Sequence, residues 1–489
     1  MCDELEFIGS KKSILIAPAG HGKTSAISRC LKLCPETSCS LVLTHTHAGI
    51  ASLKSKFSKE NISSSKYRLE TIDSFARNLV LSFMGSEFEN LGDSEDFEII
   101  VEKCTGLLKM PLVNRILSVS YDHVFVDEYQ DCTIDQHTMI MTLADNIPLH
   151  ILGDPLQSIF GFENKPLVDF DNDLTDFAKF DFLSYPWRWE YTNKALGQAL
   201  LDIRQLLEIK NSIDLFRFKC IFIEQYPSCS QYDIRYMKWF RSIVKKFDDD
   251  SMLILCPSYK EGNILRGTLS ERIRLKASFD YEQRFKLIDA IDGRHFYSCA
   301  KLIDAYIEKC LGKRKIKKIA HLYDILCELY INKTSLNKWI SRSKNQFVNK
   351  RQKEDAEIAT MIQYLFNRFE KDCTLTNLID VIKYIIEKCS VKCNYRSIYY
   401  EILSAANIAI KESLKLFDAL KLEKNKIRQI GRRIEGRCIG TTLLTKGLEF
   451  NTVIVLHADR FPDANNFYVA ISRACKRLVL VTDNNVIKF

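Results

Sequence analysis

Glycine and proline are scarce, at 18 and 10 in a chain of 489 residues. No Gly/Ser-rich or Pro-rich tract interrupts the sequence, so composition marks no flexible or stiff linker. No apolar run approaches the ~18–20 residues that span a bilayer. The first residues, MCDELEFIGSKK, lack a basic start followed by an apolar stretch, so no secretory leader is expected. A cytoplasmic chain with no membrane contact is the expectation. No internal repeat is visible. The 17 cysteines are odd in number and scattered, and Cys389 and Cys393 have no second pair at zinc-site spacing. Reduced, buried thiols are expected instead. The formal net charge of +8 permits contact with phosphate backbones without demanding it. At ~100–200 residues per domain, the length suggests about three or four.

What is present in the first half is alternation. SILIA (Ser13–Ala17), SLVLT (Ser40–Thr44), HVFVD (His123–Asp127) and LHILGD (Leu149–Asp154) read as short, fully apolar strands separated by helical stretches. Such strands suit a parallel sheet covered on both faces. MLILC (Met252–Cys256), TVIVLHA (Thr452–Ala458) and RLVLVTD (Arg477–Asp483) repeat the signal later. Between about 280 and 433 the apolar residues fall at helical spacing instead. The spacing predicts an α/β chain: two parallel-sheet domains in tandem, the second interrupted by a mostly helical subdomain. The expected bounds are 1–182 for the first, with a short helical insertion at about 77–120. The second takes 183–279 and 434–489, and the helical insertion 280–433.

APAGHGKT (Ala17–Thr24) follows a strand and precedes a helix, the context of a phosphate-binding loop. Ala17 stands where the general pattern has glycine. Pro18 stiffens the turn, Ala19 and His21 fill it, and Gly20 and Gly22 let backbone N–H groups approach phosphates. Lys23 would reach the β- and γ-phosphates, and Thr24 would place its hydroxyl on Mg²⁺. In VFVDEYQD (Val124–Asp131), Asp127 closes an apolar strand, so its carboxylate emerges where ligands of open α/β sheets bind. It can hold Mg²⁺ through water, and Glu128 can polarise the attacking water.

Further blocks follow in order: ILGDPLQSIFGF (Ile151–Phe162), LSYPWRW (Leu183–Trp189), TTLLTKGLEF (Thr441–Phe450) and FYVAISRACKRL (Phe467–Leu478). Together with the phosphate loop and DEYQD, they resemble the motifs of UvrD/Rep-type superfamily 1 helicases across both motor domains. The resemblance implies that the two parallel-sheet domains are RecA-like motor domains and that ATP and Mg²⁺ bind between them. Gln157 would then sense the γ-phosphate and water, Arg188 contact the γ-phosphate, and Trp187 stack on adenine. Gly447 and Glu449 would line the cleft and couple it to DNA, and Arg473 would be the arginine finger. It also implies single-stranded DNA lying across both domains, with 3′-to-5′ movement.

LTHTHAG (Leu43–Gly49) and TIDSFA (Thr71–Ala76) are similar to the family's DNA-side motifs. Thr46 would bind phosphate and Phe75 lie beside the strand. His45 would stack on a base or simply supply polarity at a helix start. Phe160 and Phe162 are either stacking residues or core. Some positions depart from the family pattern. No glutamine stands just upstream of the phosphate loop, Asp73 and Leu443 replace common histidines, and Glu163 replaces an arginine near DNA. KRKIKK (Lys313–Lys318) and KNKIRQIGRR (Lys424–Arg433) read equally as duplex-binding patches or solvated helix faces.

Two functions follow. One is an ATP-dependent DNA translocase and helicase. The other is a nucleic-acid-sensing ATPase subunit that regulates a partner, because short UvrD-like chains resemble the helicase half of Gabija-type anti-phage systems. That resemblance implies an OLD-type nuclease partner. A non-hydrolysing remnant is disfavoured because every catalytic position is filled.

Overall fold

The computed structural model describes residues 2–85, 94–159, 166–230, 233–257, 260–261, 264–265, 269–277, 285–289, 294–312, 317–430 and 434–489. These fall into two compact units, Met1–Ile288 with Gly431–Phe489, and Asp289–Ile430.

The first unit contains two lobes, each built on a six-stranded parallel sheet. The first lobe's strands are β1 (Lys12–Ile16), β2 (Ser40–Thr44), β3 (Tyr67–Thr71), β4 (His123–Val126), β5 (Leu149–Gly153) and β6 (Ala178–Phe180). Their order is β3-β2-β4-β5-β1-β6. Every residue of SLVLT and LHILG is buried, as central strands covered on both faces require. The helices that carry the chain back are α1 (Lys23–Leu33), α2 (His47–Lys59), α3 (Ile72–Met84), α4 (Ser94–Leu108), α5 (Pro111–Ser120) and α6 (Ile134–Leu143). Three begin on threonine. Thr46 accepts from Gly49 N, Thr71 from Ser74 N, and Thr133 forms a capping box with Gln136. The strand order sets β4, β5 and β1 side by side. The loops leaving their carboxyl ends, 127–131, 154–157 and 17–24, are therefore neighbours.

The second lobe's strands are β7 (Phe222–Glu224), β8 (Met252–Leu255), β9 (Lys286–Leu287), β10 (Arg437–Gly440), β11 (Phe450–Val455) and β12 (Ala474–Val481). Their order is β9-β10-β8-β11-β12-β7. Helix α7 (Lys194–Glu208) packs on this sheet through Leu196, Ala199, Leu200, Ile203 and Leu207. The register of β11 against β12 slips between Phe450 and Thr452. The carbonyls this bulge releases are taken by the segment before α7. Trp189 Nε1 donates to Ala474 O (2.7 Å), Thr192 Oγ1 to Cys475 O (2.7 Å) and Asn193 Nδ2 to Lys476 O (2.8 Å). The bulge thus holds the Arg188 segment beside the start of β12.

The second unit is helical, with helices Arg294–Leu311, Lys318–Glu328, Lys353–Lys371, Leu375–Lys388, Arg396–Glu412 and Leu416–Ile430. It encloses its own core, including Leu322, Phe366, Phe369, Ile382 and Ile402. Inside it Lys424 pairs with Glu401 and lies 3.9 Å from the Phe296 ring centroid.

The α/β class and the tandem parallel sheets agree with the sequence expectation, and the strands read from apolar runs are present with ends shifted by up to a few residues. The unexpected strands β3, β6, β7, β9 and β10 are short or polar. YRLET and AKF lack a continuous apolar run because β3 and β6 are sheet edges. Among the described residues, no helix is long and apolar enough to cross a membrane.

Candidate functional site

The phosphate loop is built by the two backbone reversals that glycine permits. Gly20 and Gly22 have φ of +72° and +91°, and Gly22 caps α1 without a side chain. Lys23, buried at the first turn, donates to the loop carbonyls Ala17 O (2.7 Å) and Pro18 O (3.2 Å). Burial lowers its pKa, with Asp154, Glu128 and Asp127 opposing. His21 Nδ1 lies 2.9 Å from Ala19 O, and burial lowers its pKa too. Thr24 is half-buried beside Lys23.

The second loop carries the acids. Asp127 N donates to Leu43 O (2.9 Å), which fixes the carboxylate at the sheet's carboxyl edge. Glu128 adopts φ +58°, and its N–H donates to Asp127 Oδ1 (3.0 Å). A left-handed non-glycine residue at this point is strained, as sites that aim a side chain often are. Burial, and then the adjacent Glu128, push Asp127 up to about 7. Burial acts on Glu128 in the same sense, but the ammonium groups of Lys446 and Lys23 outweigh it and hold Glu128 at about 2. Asp127 therefore sits buried as a carboxyl short of positive charge, the condition a divalent cation relieves.

Gln157, in the loop after β5, donates through Nε2 to Asp154 Oδ2 (2.7 Å). Its Oε1 accepts from Arg473 Nη2 (2.9 Å), a residue 316 positions later that immediately precedes β12. Arg473 is 2% exposed and also donates to Val469 O (2.9 Å) and Ser472 Oγ (2.8 Å). Burial and the nearby Arg188 lower its pKa to about 10, which leaves it charged at neutral pH. Arg188 donates to Ser472 O (2.6 Å) and Glu449 Oε1 (2.7 Å), and its backbone N–H to Gly20 O (3.1 Å). Its Nε is buried without a protein partner, so the guanidinium retains a donor for an anion. Glu449 is held below the usual carboxylate range by Arg188. Trp187 is 56% exposed, edge-on to Tyr185 with ring centroids 4.7 Å apart. A Cβ built on Gly22 would lie 3.7 Å from its ring. Gly447 has φ +78° and opens on space.

Loops of both lobes thus meet around one buried cluster of three acids (Asp127, Glu128 and Asp154), a glutamine, two arginines and two lysines. An 84-residue stretch is 40% identical to Gabija protein GajB of Bacillus cereus (strain VD045), covering 16% of this chain and 17% of that one. Another 84-residue match, at 29% identity, is to an ATP-dependent helicase/nuclease subunit of Leuconostoc mesenteroides subsp. mesenteroides, covering 17% of this chain and 7% of that one. The chain therefore matches less than a fifth of either relative's length. A solved arterivirus nonstructural protein 10 (helicase) with DNA overlaps 53% of this chain and 50% of that chain at 13% identity. Its TM-score of 0.27 is too low to carry an argument. Two family descriptions fall one on each side of the cluster. The UvrD/REP helicase N-terminal domain matches residues 86–177, and the viral superfamily 1 RNA helicase core domain matches 344–482. Over these two segments the chain is similar to superfamily 1 helicases of the UvrD type.

The residues expected beside a nucleic-acid strand differ in their surroundings. Thr46 spends its hydroxyl on capping α2. His45 is half-buried with Nε2 3.3 Å from Cys132 Sγ, and burial, then Lys446, lowers its pKa to about 3. Phe75 corrects the expectation: it is 5% exposed in the first-lobe core with Ile72, Leu79 and Val80, where its ring cannot stack on a base. Asp73 accepts from Gln136 Nε2 (2.9 Å), and Leu443 opens a short turn. Phe160, Phe162, Glu163 and residues 313–316 lie outside the described residues, as do the side chains of 425–433.

Sequence reasoning missed the cross-lobe pairs of this chain. Lys446 forms a buried ion pair with Asp131 and donates to Gln157 O. Arg204 pairs with Asp154 at 2.6 Å, and Tyr468 OH accepts from Ala19 N (3.3 Å). Lys446 and Asp131 stand inside quoted motif blocks, which is the signal that could have found them. Arg204 lies in no block and has none.

Proposed function

We propose that the chain hydrolyses ATP between its two lobes and uses the cycle to translocate on single-stranded DNA in the 3′-to-5′ direction and unwind it. The observation that carries this reading is the Arg473–Gln157 bond at 2.9 Å, with Arg188 against the phosphate loop. Essential groups come from both lobes, so the triphosphate is fully coordinated only when the lobes are together. In this reading residues 1–182 form one motor, and 183–279 with 434–489 the other, interrupted by 280–433.

Lys23 and the backbone N–H groups of 18–24 hold the phosphates, and Trp187 covers the base. Thr24 and Asp127 hold Mg²⁺, and the elevated Asp127 carboxyl supports the fit. Bound Mg²⁺ would neutralise charge on the phosphate oxygens. Glu128, kept ionised, orients the attacking water, with Gln157 beside it. Arg188 and Arg473 stabilise charge on the transferring group. His45 and Thr46 face the nucleic acid.

A second reading has its own support in the 40% identity to a Gabija protein. Here the ATPase senses nucleic acid and regulates a partner, an OLD-type nuclease, with little unwinding of its own. ATPase rates with single-stranded DNA, duplex DNA and RNA, beside strand displacement by the isolated chain, separate the two. Robust unwinding supports the motor, and stimulated ATPase without unwinding supports the sensor. A rate indifferent to all three nucleic acids overturns both.

A further inference from the structure

Arg204, on α7 of the second lobe, reaches the nucleotide site without touching it. Its Nη1 donates to Asp154 Oδ1 at 2.6 Å. Asp154 is fully buried and Arg204 is 8% exposed. The other carboxylate oxygen, Oδ2, accepts from Gln157 Nε2 at 2.7 Å, and Gln157 Oε1 accepts from Arg473 Nη2 at 2.9 Å. The relay therefore crosses between the lobes twice, from Arg204 to Asp154 and Gln157, then back to Arg473.

The chemistry of each link is directional. An amide has a donor end and an acceptor end, and an ionised carboxylate only accepts. The Asp154 carboxylate thus draws the Gln157 NH₂ toward itself and turns the amide oxygen toward Arg473. Arg204 holds the other carboxylate oxygen and so fixes the acceptor that orients the amide. The same guanidinium lies 5.4 Å from the Tyr468 ring centroid, and Tyr468 OH accepts from Ala19 N in the phosphate loop. One side chain therefore braces both the loop and the glutamine.

We propose that Arg204 is a positioning residue that sets the amide orientation of Gln157 for hydrolysis, and does so only while the lobes are together. This rests on the reading of Gln157 as a residue of the ATPase site.

The test is a double-mutant cycle on the full chain, with steady-state ATPase at saturating single-stranded DNA. Arg204→Met should lower kcat about 10- to 100-fold, the scale of a misplaced reacting group, while KM for ATP stays within about threefold. Gln157→Ala should lower kcat comparably, and the double variant should fall no further than Gln157→Ala alone. Arg204→Lys keeps the charge without the fork, should fall between, and decides the same cycle if the methionine variant does not fold. Losses that multiply in the double variant overturn the proposal while leaving the Gln157 assignment intact, and so does a loss confined to KM. Wild-type kcat in Gln157→Ala, with Lys23→Ala inactive, overturns the Gln157 assignment and the proposal with it.

Discussion

At the scale of single residues, the proposed ATPase separates groups that bind from groups that act. Lys23 sits inside the phosphate loop, whereas Arg473 arrives from the other lobe. Lys23→Ala should abolish turnover and weaken nucleotide binding together. Arg473→Ala should keep nucleotide binding, followed with a fluorescent ATP analogue, and lose on the order of 10³-fold or more in phosphate release. Unchanged turnover would remove the cross-lobe assignment. Lys446→Ala leaves Asp131 buried beside no cation and should cost about 3–5 kcal/mol in urea unfolding. Pairing it with Asp131→Asn should recover most of that loss. That the loop of 17–24 and the acids at 127 and 128 would be neighbours was legible, because each follows a strand that its apolar run marks as central in a parallel sheet. Phe75 was not, because an aromatic at a motif position reads alike whether its ring faces solvent or core. Arg204 was not, because nothing local ties it to Asp154, 50 positions earlier.

Among the elements, the first sheet conceals a polar row. His150 on β5 shares hydrogen bonds with Ser13 on β1 (2.7 Å) and His123 on β4 (3.0 Å), among Phe7 and Phe125. Burial, then His123, lowers the His150 pKa to about 3. The unfolded chain carries this histidine with an ordinary value near 6.5, so protons favour the unfolded state and stability falls as pH drops below 6.5. The contribution is about 2 kcal/mol between pH 7 and 5. Urea melts at both pH values should show His150→Gln losing less on acidification than the parent, and equal losses would clear His150 of the role. Central strands such as SLVLT were readable from apolar runs alone. The four-residue β10 and the edge strands were not, because tertiary pairing rather than local pattern makes them strands.

For the whole molecule, the lobes of the first unit are joined by Lys446 to Asp131, Arg204 to Asp154, Arg473 to Gln157 and Asn465 to Ser158 O, with Ala19 and Leu156 packed against the second-lobe core. The polar contacts suit the proposed cycle of parting lobes, since they can be exchanged for water at small net cost. One contact in the seam is purely steric. A Cβ on Gly20 would stand 2.6 Å from the Trp189 ring, on a backbone whose φ of +72° already disfavours a side chain. Gly20→Ala should therefore raise hydrogen exchange across residues 185–193 while the strands of both sheets stay protected, and equal protection there would show that the indole gives way. One methyl would act as a doorstop: the jaws could still grip phosphate singly but never shut.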